Sequence, residues 1–113
     1  MYSVVVTDTI AIAHRLPGIP TCERLHGHNL TFEIKVSSEF LNDKGMVVNF
    51  QDIKSVIRSL DHQYLNDLLS MEMPTAENIA KWIYDRLSKI TSPALVDYVK
   101  VWESDKAFVE YWE

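Results

Sequence analysis

The sequence predicts an α+β domain in which one antiparallel sheet of four strands is covered on one face by two helices. Three observations predict this class. Apolar and polar residues alternate in two segments near the start of the chain, apolar residues recur at three- and four-residue steps in two segments near its middle, and alternation returns at the end. The predicted order is β-β-α-α-β-β, in a single domain that spans residues 1–113.

The first two strands follow from alternation with a period of two. In Tyr2–His14 most of the apolar residues share even parity with His14, which places their side chains on one face of a strand. Residues 29–37 alternate in the same way, so a second half-buried strand is expected there. A loop with two prolines and a glycine separates the two segments.

The two helices follow from apolar residues at helical spacing. The first is expected at Phe50–Leu60, and Asn49 is placed to cap its N-terminus. The second begins after a proline, where Thr75 is a suitable cap and Glu77 lies near the positive end of the helix dipole. Residues 61–73 show no period and are expected to be irregular.

The last two strands are expected at Leu95–Ser104 and Ala107–Trp112. Residues 104–106 lie between the two runs and are expected to form a tight hairpin loop. The chain then ends on the same sheet in which it began.

Composition and charge limit the classes of function. The formal net charge of -5 argues against non-specific binding to nucleic acid or to an anionic membrane. Cys22 is the only cysteine, so no intrachain disulfide can form. The sequence shows neither a leader pattern nor an apolar run that approaches the roughly 20 residues of a membrane span. We therefore expect a cytoplasmic protein.

Three histidines are candidate metal ligands. His26 and His28 are two residues apart at the entry to the second strand, so both imidazoles are expected on one side of it, and His14 ends the first strand. Gly27 between the pair allows close approach of backbone or ligand. Three neutral imidazoles with an open fourth position describe a catalytic zinc site. The alternative is a set of unconnected surface histidines.

Cys22 lies four residues before His26, in the loop between the first two strands. Near a divalent cation its thiolate would be stabilised, and the group could act as a base or nucleophile. Two alternatives stay open from the residues alone. The side chain can be a small buried hydrophobe, or it can be a fourth ligand that closes a structural metal site.

Further along the chain, charged side chains are candidates for catalysis and substrate binding. In Asp61-His62 the carboxylate can orient the imidazole and stabilise its protonated form. The alternative is that both are simply polar residues at the C-terminal end of a helix. Glu103 shares parity with apolar neighbours, so its carboxylate can point inward and accept two parallel N–H bonds. The alternative interpretation is that Glu103 is a strand-end residue that faces water. Basic residues that could meet an anionic substrate tail are Arg15, Arg24 and Lys54.

Taken together, these residues resemble the 6-pyruvoyl-tetrahydropterin synthase family over nearly the whole chain. The spacing of three residues between Cys22 and His26 is similar to that of its bacterial branch, the 6-carboxy-tetrahydropterin synthases of queuosine biosynthesis. The segments that carry the resemblance are Ala13–Pro17, Cys22–His28, Gly45-Met46-Val47 with Phe50, Leu60-Asp61-His62 with Leu65-Asn66, Pro74-Thr75 with Glu77-Asn78, and Glu103.

The resemblance implies a tunnelling fold (T-fold) whose trimers pair into a homohexamer, with active sites between subunits. It also implies that His14, His26 and His28 hold Zn²⁺, that Cys22 is the general base, and that Asp61 and His62 form a second acid–base pair. Glu103, helped by Ser104, would bind the pterin edge.

The reaction implied for the bacterial branch is conversion of 7,8-dihydroneopterin triphosphate to a 6-carboxylated pterin, with release of triphosphate and acetaldehyde. Three alternatives stay open. The chemistry can stop at 6-pyruvoyl-tetrahydropterin, it can give a hydroxymethyl-dihydropterin as an aldolase would, or the chain can be a non-catalytic zinc-stabilised assembly module.

Overall fold

The computed structural model of the chain describes residues 1–113. The chain forms five strands and three helices. In order they are β1 (Tyr2–His14), β2 (His26–Ser38), α1 (Phe50–Arg58), β3 (Gln63–Tyr64), α2 (Leu65–Leu68), α3 (Ala76–Thr91), β4 (Leu95–Ser104) and β5 (Ala107–Tyr111).

All the strands belong to one sheet, with the spatial order β3-β1-β2-β4-β5. The four long strands pair antiparallel, as predicted. The predicted count of four is wrong by one, because β3 pairs with β1 through Ile12 and Ala13 and runs parallel to it. The sheet is therefore mixed, and its fifth strand has only two residues.

The hydrophobic core lies on one face of this sheet. Even-numbered residues of β1 and β2 point to that face, where α1 and α3 cover them with their apolar stripes. Complete burial of one such aliphatic side chain contributes about 1.5–3 kcal/mol, so the alternating pattern fixes which face the helices cover. The fully buried residues include Leu30, Phe32, Ile34, Ile53, Ile57, Ile79, Ile83 and Leu87.

The helix boundaries follow the capping residues. The Asn49 side chain accepts a hydrogen bond from the N–H of Gln51, and the Thr75 side chain accepts one from the N–H of Asn78, so both predicted N-caps are confirmed. The first helix ends at Arg58, two residues earlier than predicted. The segment expected to be irregular contains the one-turn helix α2. No helix is both long and apolar enough to cross a bilayer.

Two features of the sheet position the candidate site. The β1–β2 pairing ends with His14 opposite His26, so this end of the sheet carries the candidate metal ligands. In the neighbouring hairpin, Trp102 is opposite Phe108 while Ser104 is opposite Ala107, so the register shifts between them. This β-bulge makes Glu103 an extra residue on β4.

Candidate metal centre and active site

Strand pairing brings the three candidate ligands together. His14 is opposite His26, and Ile12 is opposite His28, so all three imidazoles lie on the core face at the end of the β1–β2 pair. The ring centroids are 4.6 Å apart for His14 and His26, 5.0 Å for His14 and His28, and 5.5 Å for His26 and His28. The alternative of unconnected surface histidines does not describe this arrangement.

Backbone carbonyls set the tautomers of two of these rings. His14 Nδ1 lies 2.9 Å from the carbonyl oxygen of Pro74, and His26 Nδ1 lies 2.8 Å from that of Arg24. A carbonyl can only accept, so each Nδ1 must carry the proton. In the neutral ring Nε2 then keeps its lone pair, which is the arrangement typical of metal-binding histidines.

His14 is held in the neutral form. It is buried, with 2% of its surface exposed. Burial lowers the pKa of His14 below its ordinary value of 6.5, and positive charge on His28 or His26 would lower it further. The hydrogen bond to Pro74 and the negative charge of Glu103 oppose this shift without reversing it. A neutral imidazole is the form that binds a metal, so no proton has to leave His14 near pH 7.

The three histidines therefore could hold a metal ion. One ligand nitrogen from each ring lies within 4.8 Å of the others, and the Nε2 atoms of His28 and His14 are 3.0 Å apart. Nitrogen ligands at about 2.0–2.1 Å around a tetrahedral zinc would be separated by roughly 3.4 Å. The observed spacing and the all-imidazole donor set both fit such an ion.

Gly27 allows the two strands to approach closely at this point. A Cβ atom at this position would lie 3.3 Å from the carbonyl oxygen of Ile12, closer than most such contacts. The expected close approach to Gly27 is therefore confirmed, and the group that approaches is the backbone of the paired strand β1.

Cys22 is not part of the histidine cluster. Its sulfur is not among the ligand atoms that converge, and its side chain is half-buried. The loop is held by hydrogen bonds from the N–H of Leu16 to the Cys22 carbonyl and from the N–H of Cys22 to the carbonyl of Ile19. Thr21 Oγ1 is 3.7 Å from Cys22 Sγ. A closed site of one thiolate and three imidazoles does not match this geometry.

Asp61 and His62 form a hydrogen-bonded pair at the edge of the sheet. His62 Nδ1 is 3.0 Å from Asp61 Oδ1, which also accepts a hydrogen bond from the N–H of Ala11. That backbone hydrogen bond is the main reason that the pKa of Asp61 is lowered, and His62 and Arg58 add to it against the opposing effect of burial. Arg58 bridges from Asp61 to Asp8. His62 itself is 80% exposed.

Glu103 is exposed, so of the two orientations that the sequence left open the water-facing one fits, and the inward expectation from parity does not. The bulge at this residue breaks the alternation on which that expectation depended. Glu103 has no hydrogen bond or ion pair within the chain. The neighbouring Ser104 Oγ accepts a hydrogen bond from the N–H of Lys106 at 3.2 Å, which leaves its own O–H free to donate.

Two cavities adjoin Glu103. The larger, of about 530 Å³, lies on the sheet face opposite the helices, and the smaller, of about 160 Å³, lies beside the start of α3. A further cavity of about 390 Å³ at the other end of the sheet is mostly apolar and contains neither histidine nor cysteine. The larger Glu103 cavity is lined by Thr9, Asn29, Thr31, Trp102, Glu103, Ser104 and Asp105.

The three basic residues that could bind an anionic substrate tail differ in how near they lie to the histidine cluster. Arg15 follows His14 directly, and its Nε donates to the carbonyl oxygen of Glu23. Arg24 is exposed in the same loop as Cys22. Lys54 lies on α1 one turn before Arg58, which contacts β1 six residues before its end. Within one chain, Lys54 is therefore not brought to the histidine cluster.

Sequence reasoning missed the groups that support the cluster. The carbonyls of Pro74 and Arg24 orient two rings, yet backbone atoms leave no signal in the residue types. Asn66 exchanges two hydrogen bonds with the main chain of Arg15. Asn66 was part of the resemblance, which gave it no role.

Comparison with known proteins identifies relatives across most of the chain. The sequence profile of the family described as 6-pyruvoyl tetrahydropterin synthase matches residues 3–113. A 6-carboxy-5,6,7,8-tetrahydropterin synthase of Synechocystis is 41% identical over 93 residues, which cover 74% of this chain and 72% of that protein. A dihydroneopterin monophosphate aldolase of Pyrococcus furiosus is 37% identical over 93 residues, which cover 78% of each chain.

Solved structures agree with the fold. The 6-pyruvoyl tetrahydropterin synthase of Caenorhabditis elegans superposes with a TM-score of 0.79, over 99% of this chain and 95% of that one. At 23% sequence identity this likeness bears on the fold alone. The predicted α+β tunnelling fold is confirmed, apart from the extra two-residue strand.

Proposed function

Because the chain belongs to the 6-pyruvoyl tetrahydropterin synthase family, we propose that it is a zinc-dependent lyase of queuosine biosynthesis. The proposed reaction converts 7,8-dihydroneopterin triphosphate to 6-carboxy-5,6,7,8-tetrahydropterin and releases acetaldehyde and triphosphate. Identity of 41% with a protein named for that product supports this choice within the family.

One observation carries the catalytic part of the proposal. Three imidazoles converge, and carbonyl partners at Nδ1 leave the Nε2 lone pairs of His14 and His26 available, while the only thiol of the chain lies outside the ligand set. Three protein ligands leave an open position, as in catalytic zinc sites. A structural site would be expected to be closed by a fourth ligand, and Cys22 does not take that place.

Each residue of the site would then have its own role in the reaction. His14, His26 and His28 would hold zinc, which supplies a Lewis acid that makes a C–H beside a bound hydroxyl more acidic. Cys22 takes a proton from the substrate side chain as general base. His62, oriented by its 3.0 Å contact with Asp61, exchanges the second proton.

Glu103 and Ser104 would orient the substrate. A free carboxylate accepts two parallel N–H bonds from the amino and ring N–H edge of a pterin, and the free O–H of Ser104 can donate to the same ring. Arg15 and Arg24, beside the histidine cluster, are placed to meet the triphosphate. Lys54 could do so only from another subunit.

Product analysis tests the function. The zinc-loaded protein is incubated with 7,8-dihydroneopterin triphosphate, and acetaldehyde and the carboxylated pterin are measured. Both are expected in equal amounts. A Cys22→Ala variant should keep its zinc and lose turnover by about 10²–10⁴-fold, as removal of a general base does. Absence of both products from the wild-type protein would refute the proposal.

A second candidate function follows from the Pyrococcus furiosus relative, which is named as an aldolase. In that case the same base would cleave the side chain, and the product would be a hydroxymethyl-dihydropterin. An enzyme that only eliminates triphosphate would instead give 6-pyruvoyl-tetrahydropterin. The same product assay distinguishes all three reactions.

We also propose that the active sites lie between subunits of a hexamer in the cytoplasm. Exposure of His62 and of Glu103 supports this, because each would gain a neighbour on assembly. Mixing tests it: Cys22→Ala and His62→Ala are each expected to be inactive. After reassembly of an equal mixture, roughly a quarter of wild-type activity should return. Each shared site takes Cys22 from one subunit and His62 from another, and only about one site in four receives both intact. No recovery would place the whole site in one chain.

A further inference from the structure

The segment His62–Pro74, called the strap below, follows the last residues of β1 closely. The N–H of His62 donates to the carbonyl of Ala11, and the next two residues form β3 against β1. The strap then turns through α2 and returns, so that the carbonyl of Pro74 reaches Nδ1 of His14. One continuous segment therefore lies against β1 from Ala11 to its end.

Asn66 is the side chain that connects this strap to the residue after His14. Its Oδ1 accepts a hydrogen bond from the N–H of Arg15 at 2.9 Å, and its Nδ2 donates to the carbonyl of Arg15 at 2.9 Å. This reciprocal pair has the form of the hydrogen bonds that a neighbouring strand would make. The side-chain amide therefore continues the pairing of β1 at the point where β3 has ended.

The same amide also holds the returning part of the strap. Asn66 Nδ2 makes a second hydrogen bond, to the carbonyl of Glu72 at 3.3 Å. Glu72 lies two residues before Pro74, whose carbonyl orients the His14 ring. Asn66 thus contacts both the main chain beside His14 and the segment that supplies its hydrogen-bond acceptor.

We propose that Asn66 is a positioning residue of the metal centre, which fixes the direction of the His14 ring. The inference rests on the proposed metal site, since without a bound ion the direction of the ring would have no function. Loss of a group that orients a metal ligand typically weakens metal affinity 10–100-fold. Asn66 acts through His14 and Pro74 and touches no reacting atom.

Two substitutions separate the contacts. Asn66→Asp keeps the oxygen that accepts from the N–H of Arg15 but replaces both donated hydrogen bonds with a carboxylate oxygen facing two carbonyls. Asn66→Ala removes all three contacts. A matched control is Asn78→Asp, because Asn78 Nδ2 donates to the carbonyl of Met73 in the same strap and contacts neither Arg15 nor Glu72.

The test is zinc affinity of the metal-free proteins, measured by competition with a chromophoric chelator, together with their melting temperatures without metal. We expect Asn66→Asp and Asn66→Ala to raise the Kd for zinc about 10–100-fold. Asn78→Asp should bind zinc within about threefold of wild type, even if its melting temperature falls as much as those of the Asn66 variants. Asn66→Asp, nearly equal to asparagine in size, decides the question if the alanine variant does not fold.

Contrary outcomes are separable. Wild-type zinc affinity in either folded Asn66 variant would overturn this inference and leave the proposed function standing. An equal loss of affinity in Asn78→Asp would also overturn it, because general loosening of the strap would then explain the result. If the wild-type chain binds no zinc, the proposed function and this inference fail together.

Discussion

The histidine cluster and Glu103 lie at the same end of the sheet but are held in opposite ways. His14 is 2% exposed, its ring donates to the carbonyl of Pro74, and the main chain beside it is bound by Asn66. Glu103 is exposed at a β-bulge and its carboxylate has no partner in the chain. One region is fixed by the fold, and the other leaves a charged group free to bind something else.

The two regions differ because binding a metal ion and binding an organic ligand make different demands on the fold. A metal site needs several ligands at set distances, so its side chains must be held before the ion arrives. A carboxylate that binds a planar N–H edge needs to be desolvated only when the ligand is present. Substitutions in the cluster are therefore expected to affect metal binding, while substitutions at Glu103 should mainly affect binding of the organic ligand.

The largest effect is expected for His14→Ala. The change removes one of three imidazoles and the donor to the Pro74 carbonyl, so zinc affinity should fall by more than the roughly 100-fold upper value for a supporting group. His62→Ala is the matched control, since it removes the histidine that lies outside the cluster, and it should bind zinc as the wild type does. Competition with a chelator measures both. Equal affinities would mean that the converging rings do not bind the ion.

Glu103→Gln should give an intermediate effect of a different kind. It replaces one acceptor oxygen by a donor, and a hydrogen bond to a charged group contributes about 1.5–3 kcal/mol, so the Kd for a dihydropterin should rise about 10–150-fold. Zinc affinity should change much less, because Glu103 acts on His14 only through its charge. Glu110→Gln, in the exposed hairpin strand β5, controls for loss of a surface carboxylate. Fluorescence titration measures pterin binding, and unchanged affinity would remove Glu103 from the substrate site.

Sequence patterns predicted the parts of the fold that have a period. The four long strands, both capped helices and the order of elements follow from alternation and from the caps Asn49 and Thr75. Convergence of the three histidines follows as well, because pairing of the first two strands places His14 opposite His26. These features depend on residue type at regular spacing, which a sequence displays directly.

The rest depends on contacts that have no such pattern. Strand β3 has two residues, too few for any alternation, and it exists because the chain after Asp61 pairs with the edge of β1. The orientation of Glu103 could not be decided from parity, because the bulge adds a residue to β4. The orienting groups at Pro74 and Arg24 are carbonyls, which every residue carries.

The smallest effect is expected at the Asp61–His62 pair, which combines a fixed carboxylate with an exposed imidazole. The pKa of Asp61 is lowered in the folded chain, chiefly by the N–H of Ala11. A lowered pKa stabilises the fold above the unfolded value near 3.8 and loses that contribution as the pH falls through the folded value. Asp61→Asn should therefore be less stable than wild type at pH 7, with a gap that closes in acid.

Urea unfolding of both proteins between pH 2.5 and pH 7, buffers set at roughly half-unit steps, measures that gap. Asp85→Asn on α3 serves as the control, because its carboxylate meets only the exposed Lys81 one helical turn away and reports what a surface ion pair contributes. A difference in stability that stays constant into acid would show that ionisation of Asp61 does not stabilise the fold. His62 would then be oriented by the backbone at Ala11 rather than by an ionised partner.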